Sequence, residues 1–88
     1  MNNNITIEVP VELAPILEIV LRNYRHAVEK HPVFPNDLIK QAAIVAEEAG
    51  ELLREANNNN SSLSRHECYQ TAAVSIRMLT YLENNHKS

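Results

Sequence analysis

Apolar residues recur at helical spacing over three stretches of the chain and alternate over one short stretch. From Val11 to His31 the residues Leu13, Leu17, Val20, Tyr24 and Val28 share one face, while Arg22, Arg25, His26, Glu29 and Lys30 fall largely elsewhere. Repeats of three and four predict an amphipathic helix. Pro15 is compatible with its first turns, and His31-Pro32 marks its end, because a residue before proline is pushed out of the helical region. A second helix is predicted from about Leu38 to Ala56, with Asn36 or Asp37 as N-cap. Leu38, Ala42, Val45, Ala49, Leu52 and Ala56 form its heptad-like core stripe. The third helix begins between Ser61 and Ser64 and runs to about Glu83. Cys68, Ala72, Ile76 and Leu79 read as its core. Its opposite stripe, Glu67, Gln70, Val74, Arg77 and Tyr81, mixes apolar bodies with polar heads, as a ligand-facing surface or a subunit interface does.

The connections carry their own signals. Ile5-Thr6-Ile7-Glu8-Val9 alternates and is rich in β-branched residues, so it reads as a short strand ended by Pro10. A lone strand has nothing to pair with; it pairs with its copy in another subunit or lays Ile5, Ile7 and Val9 across the helices. Pro32-Val33-Phe34-Pro35 is stiff and extended, and Asn57 to Ser62 reads as a polar low-complexity loop. Gly50 in mid-helix costs up to about 1 kcal/mol relative to alanine, which points to a helix or ligand approaching beside Glu51. The expected architecture is therefore all-α: a three-helix protomer with residues 1–10 as arm or strand and 84–88 as a frayed tail. Eighty-eight residues support only a marginal core, and the second and third helices look apolar over more than one face, so oligomerisation is expected to complete the helical bundle.

Composition narrows the function. A formal net charge of −3, with no basic cluster, argues against nucleic acid as a partner. The start lacks a secretory signal and no apolar run reaches membrane-spanning length, so no membrane association and a cytoplasmic location are expected. One cysteine, Cys68, excludes an intrachain disulfide and reads as a core residue.

The stretch Ile44-Val45-Ala46-Glu47-Glu48-Ala49-Gly50-Glu51-Leu52-Leu53 carries the candidate chemistry. At about 100° per residue, Glu48 sits roughly 60° and Glu51 roughly 120° from Val45 on one flank, while Glu47 projects the other way with Lys40 and Arg54. Hard divalent cations prefer carboxylate oxygens and commonly grip substrate phosphates as well, so two glutamates three apart supply half of such a site. Glutamate pairs on surface helices are also often only a solvated stripe. Glu48 differs in lying at the edge of the apolar face, where an idle carboxylate is costly to desolvate. Arg77 shares a stripe with Glu67 and Gln70 and could reach a phosphate; Lys40 is a second cation for that role. Phe34 and Tyr24 could stack a base, although an aromatic beside a proline turn more commonly plugs a core. Ser64-x-x-Glu67 also matches a capping box, which would tie Glu67 to the start of the third helix. His26, His31 and His66 lack metal-ligand spacing. Glu83-x-x-His86 matches half of a di-iron helix motif, without a second copy.

Glu48-x-x-Glu51 on one helix, a short polar loop and Glu67 on the next resemble the all-α nucleoside triphosphate pyrophosphohydrolases, the MazG-like superfamily that includes dimeric dUTPases. The lead-in His31-Pro32-Val33-Phe34-Pro35-Asn36-Asp37, the core Glu47-Glu48-Ala49-Gly50-Glu51-Leu52 and the run Ala72 to Leu79 extend the similarity over roughly residues 31 to 83. The resemblance implies Mg²⁺ held by Glu48, Glu51 and Glu67, and a nucleoside triphosphate cleaved to the monophosphate and pyrophosphate. It also implies a homodimer or homotetramer. The family's fourth acidic position is Gln70 here, whose amide can ligate Mg²⁺ but brings no charge. Two expectations follow: a Mg²⁺-dependent pyrophosphohydrolase, favoured by the three glutamates, or a catalytically silent nucleotide-binding or assembly module, favoured by Gln70. A helix-turn-helix DNA binder fits poorly with the acidic balance.

Overall fold

The computed structural model describes residues 3–84, which form a 3₁₀ turn at Val11–Leu13 and three helices: α1 (Ala14–Lys30), α2 (Leu38–Asn57) and α3 (Ser61–Asn84). The helix boundaries follow from local chemistry. Pro10 is extended (φ −55°, ψ 142°) and its carbonyl accepts from Leu13 N at 2.9 Å, which starts the 3₁₀ turn; Pro15 then sits in the first turn of α1. Asp37 caps α2, its Oδ1 accepting from Ile39 N at 2.8 Å and Lys40 N at 3.1 Å. That satisfies two of the amides a helix start leaves unpaired.

The asparagine run is an ordered corner, not the loose loop that its composition suggests. Asn59 adopts φ 57°, a left-handed conformation that asparagine tolerates better than most residues. Asn60 N donates to Glu55 O and Asn59 N to Ala56 O, both at 3.0 Å, the paired bonds of a Schellman stop. Asn60 Oδ1 then accepts from Leu63 N at 3.0 Å and caps α3. Since α3 starts at Ser61, Glu67 lies beyond the first turn, and the capping box expected of Ser64 and Glu67 does not form.

Among the described residues, α3 packs against both α1 and α2, and these two do not pack on each other. A central helix covered from two sides needs no single apolar stripe, and the expected division of α3 does not hold. Cys68 is exposed rather than core, and Leu79 is 53% exposed. Ala73 and Arg77 are its buried residues. The α2 core stripe is also turned: Leu38, Ala42, Ala49 and Ala56 are exposed, while Gln41 is buried and Ile44, Val45, Glu48, Glu51, Leu52 and Glu55 are half-buried. The carboxylate flank, not the alanine stripe, faces α3.

Among the described residues the apolar core is small, consisting of Val20, Phe34 and Ala73 at 6%, 5% and 1% exposure. Two polar side chains hold the α1–α2 connection against it. Gln41 Nε2 donates to Pro35 O at 2.7 Å. The buried Arg77 guanidinium donates to O of His31, the C-cap of α1, at 2.8 Å, and at 3.4 Å to Ala27 O, which also accepts from His31 N at 2.8 Å. Residues 3–10 form no strand and leave Ile5 82% and Ile7 70% exposed, so the segment is an arm that does not cover the helices of its own chain. No described helix is long and apolar enough to cross a membrane. Residues 85–88, including His86 and most of the expected frayed tail, lie outside the described part.

Candidate metal centre

Glu48 and Glu51 stand one turn apart on the face that α2 turns to α3, and the sharp Asn58–Asn60 corner brings α3 back so that Glu67 meets them. One carboxylate oxygen from each lies within 4.8 Å of the other two. All three residues are half-buried, and Glu67 Oε2 is shut off from solvent with no hydrogen-bond partner. Three like charges at this separation repel, and partial burial strengthens the repulsion.

Their proton affinities register the conflict. Glu67 is pushed up to about 7, first by a hydrogen bond with Glu51 that favours its protonated form, then by desolvation and by the charges of Glu51 and Glu48. Two carboxylates form that bond only when one keeps a proton, so in the ionised state Glu67 Oε2 has no donor to meet. Glu48 is raised as well, mainly by burial and then by Glu51 and Glu47. His66, whose Nε2 is 3.6 Å from Glu67 Oε1, pulls weakly the other way from an exposed position. A cation of charge two placed among these oxygens would remove the repulsion and satisfy the orphaned oxygen, and an all-oxygen donor set suits Mg²⁺ or Mn²⁺. The residues fit the ion.

Beside the trio a groove of about 470 Å³ is lined by Phe34, Ile44, Glu47, Glu48, Gln70 and Arg77, among others. Gln70 thus opens onto the groove that Glu48 borders. Arg77 also lines it, although its guanidinium hydrogen-bonds the end of α1 and lies 4.7 Å above the Phe34 ring. Phe34 is a packing plug, buried and 5.3 Å from the Tyr81 ring. Tyr24 is half-buried in α1 and Lys40 is exposed in the first turn of α2; neither lines the groove. Sequence reasoning sent Glu47 to the solvent side, yet it lines the groove wall. It also set aside His66, whose place beside Glu67 was available as the signal.

No protein family, curated protein or solved structure matches this chain.

Proposed function

We propose that the chain binds a divalent cation through Glu48, Glu51 and Glu67 and uses it to hold a nucleoside triphosphate for cleavage to the monophosphate and pyrophosphate. The observation that supports this reading is the converged trio with its buried, unpartnered Glu67 Oε2, an arrangement unfavourable unless a proton or a cation occupies it. Bound Mg²⁺ would neutralise phosphate charge and help position the attacking water. The chain itself would contribute the rest. Glu48 and Glu51 orient the oxygens from one helical turn, Gln70 offers an amide to the ligand, and the groove receives the rest of the nucleotide. Any phosphate contact by Arg77 must be made with donors left over from its two backbone bonds. Self-association as a homodimer or homotetramer in the cytoplasm belongs to the same reading.

A pyrophosphate-release assay over ordinary and modified nucleotides, with Mg²⁺, tests it. Glu51→Gln should abolish release and Gln70→Asp should raise it. The neutral Gln70 favours a second reading, a binding or assembly module that no longer hydrolyses. That reading prevails if no nucleotide is cleaved; if none raises the melting temperature either, nucleotide binding falls with it.

A further inference from the structure

The side of α2 that points away from α3 is more apolar than the side that packs. Gln41, Ile44, Glu48, Glu51, Leu52 and Glu55 form its buried and half-buried side. Opposite them Ile39, Ala43, Ala46, Gly50 and Leu53 recur at spacings of four and three, within an arc of about 80° at about 100° per residue. All five are exposed, Ile39 at 80% and Leu53 at 62%. Leu38, Ala42 and Ala49, also exposed, widen the face along one rim. Among the described residues no other helix covers it, because α1 packs on α3 and not on α2. We propose that this face joins two copies of the chain, their α2 helices packed antiparallel about a twofold axis midway between Ala43 and Ala46. The proposal rests on the self-association suggested above and is independent of the cation.

Size and charge both favour a second copy in this arrangement. Under a twofold axis every contact is made twice, residue i of one copy with residue j of the other and the reverse. Ala43 of each copy then meets Ala46 of the other and sets the helices about 8 Å apart, the close end of the usual range. Ile39, bulky and near the start of the helix, lies beside the other copy's Gly50. There a Cβ meets nothing within 4 Å in the single chain, and crossing helices have begun to diverge, so a methyl is still accommodated. Lys40 and Glu47 share the rim opposite Leu38, Ala42 and Ala49. Seven residues put them about 10 Å apart along the axis, too far to pair within one helix, and neither makes an ion pair among the described residues. Antiparallel packing sets like rims side by side, so Lys40 of each copy comes within reach of Glu47 of the other. A parallel pairing would set this charged rim against the apolar one. The contact runs about 21 Å along each helix of about 10 Å diameter. With side-chain relief doubling the flat area, that is roughly 900 Å² over the pair, near the lower bound of a specific interface, and it sets the expected affinity in the micromolar range.

Sedimentation of the full chain in EDTA, over concentrations up to about 100 μM, tests the proposal without the cation. The wild type should be at least a dimer at the upper end. Ala46→Glu places a charge where the helices come closest and should leave a monomer with unchanged helical circular dichroism, since position 46 is exposed in the single chain. A charge swap then reads the register. Lys40→Glu and Glu47→Lys should each weaken association about tenfold, because each sets like charges together twice, and the two combined should return it to within about threefold of the wild type. That rescue has no source inside one helix. A wild type that stays monomeric at 100 μM overturns the proposal together with self-association. A dimer that Ala46→Glu leaves intact overturns this face alone, and a combined variant as weak as the single ones overturns the antiparallel pairing. None of these results bears on the cation reading, which stands or falls on Glu48, Glu51 and Glu67.

Discussion

Replacing Glu67 with glutamine should make the metal-free protein more stable at pH 8 and leave it nearly unchanged at pH 5. In the folded chain Glu67 titrates at about 7, against an ordinary value of 4.5. Well above pH 7 Glu67 carries its charge, and its repulsion from neighbouring carboxylates acts against folding. As pH falls from about 7 towards 4.5 the folded chain takes up a proton that the unfolded chain still lacks, so stability rises through that window; below it both states are protonated and the gain is complete. At about 1.36 kcal/mol per unit the ceiling is roughly 3 kcal/mol. Solvent on the His66 side screens the cluster and brings this to about 1–2 kcal/mol. For a domain of this size that corresponds to a melting shift on the order of 5–10 °C. Circular dichroism melts of wild type and Glu67→Gln in EDTA, from pH 8 to pH 5, measure it. Saturating Mg²⁺ at about 100 times its dissociation constant should restore roughly 2.7 kcal/mol to the wild type at pH 8, and less at pH 5, where protons compete. A wild-type-minus-variant difference that does not change with pH, or a variant less stable at pH 8, would refute the reasoning.

Substitutions at three further positions probe the scaffold. Gly50→Ala should stabilise by about 0.5–1 kcal/mol, because a Cβ there meets nothing within 4 Å; a destabilisation in urea melts would mean that something outside the chain occupies that space. Asn59→Ala should cost about 1 kcal/mol and Asn59→Gly close to nothing, since φ 57° suits glycine; equal effects from the two would sink the corner argument. Arg77→Lys should lower stability by about 2–3 kcal/mol, through loss of the forked bonds to Ala27 O and His31 O and of the stack on Phe34. Chemical denaturation that registers under half of that would refute the anchoring role.

The three helices were legible from spacing because periodicity survives any single exception, and the end of α1 was legible from proline geometry. The meeting of Glu48, Glu51 and Glu67 was readable in part, since two share a helix face by arithmetic and the third follows a turn too short to lead elsewhere. The rotation of α2 was not readable. Its packed face carries Glu48, Glu51 and Glu55, which any hydropathy pattern assigns to water, so the alanine stripe looked like the core instead. Four consecutive asparagines conceal their separate duties, because the left-handed φ of Asn59 and the cap made by Asn60 depend on register and not on composition. Arg77 escaped for another reason: its acceptors are backbone carbonyls 46 and 50 residues away, which no local pattern announces.

The separation of α1 from α2 divides the molecule's labour. All three glutamates belong to one hairpin, so an ion clamped there would brace α2 against α3, while α1 packs, among the described residues, on α3 and the 3₁₀ turn and is gripped near its end by Arg77. Amide exchange in α1 would then respond little to magnesium, whereas exchange in the hairpin would slow sharply, like a book whose spine is pinned while its cover still swings.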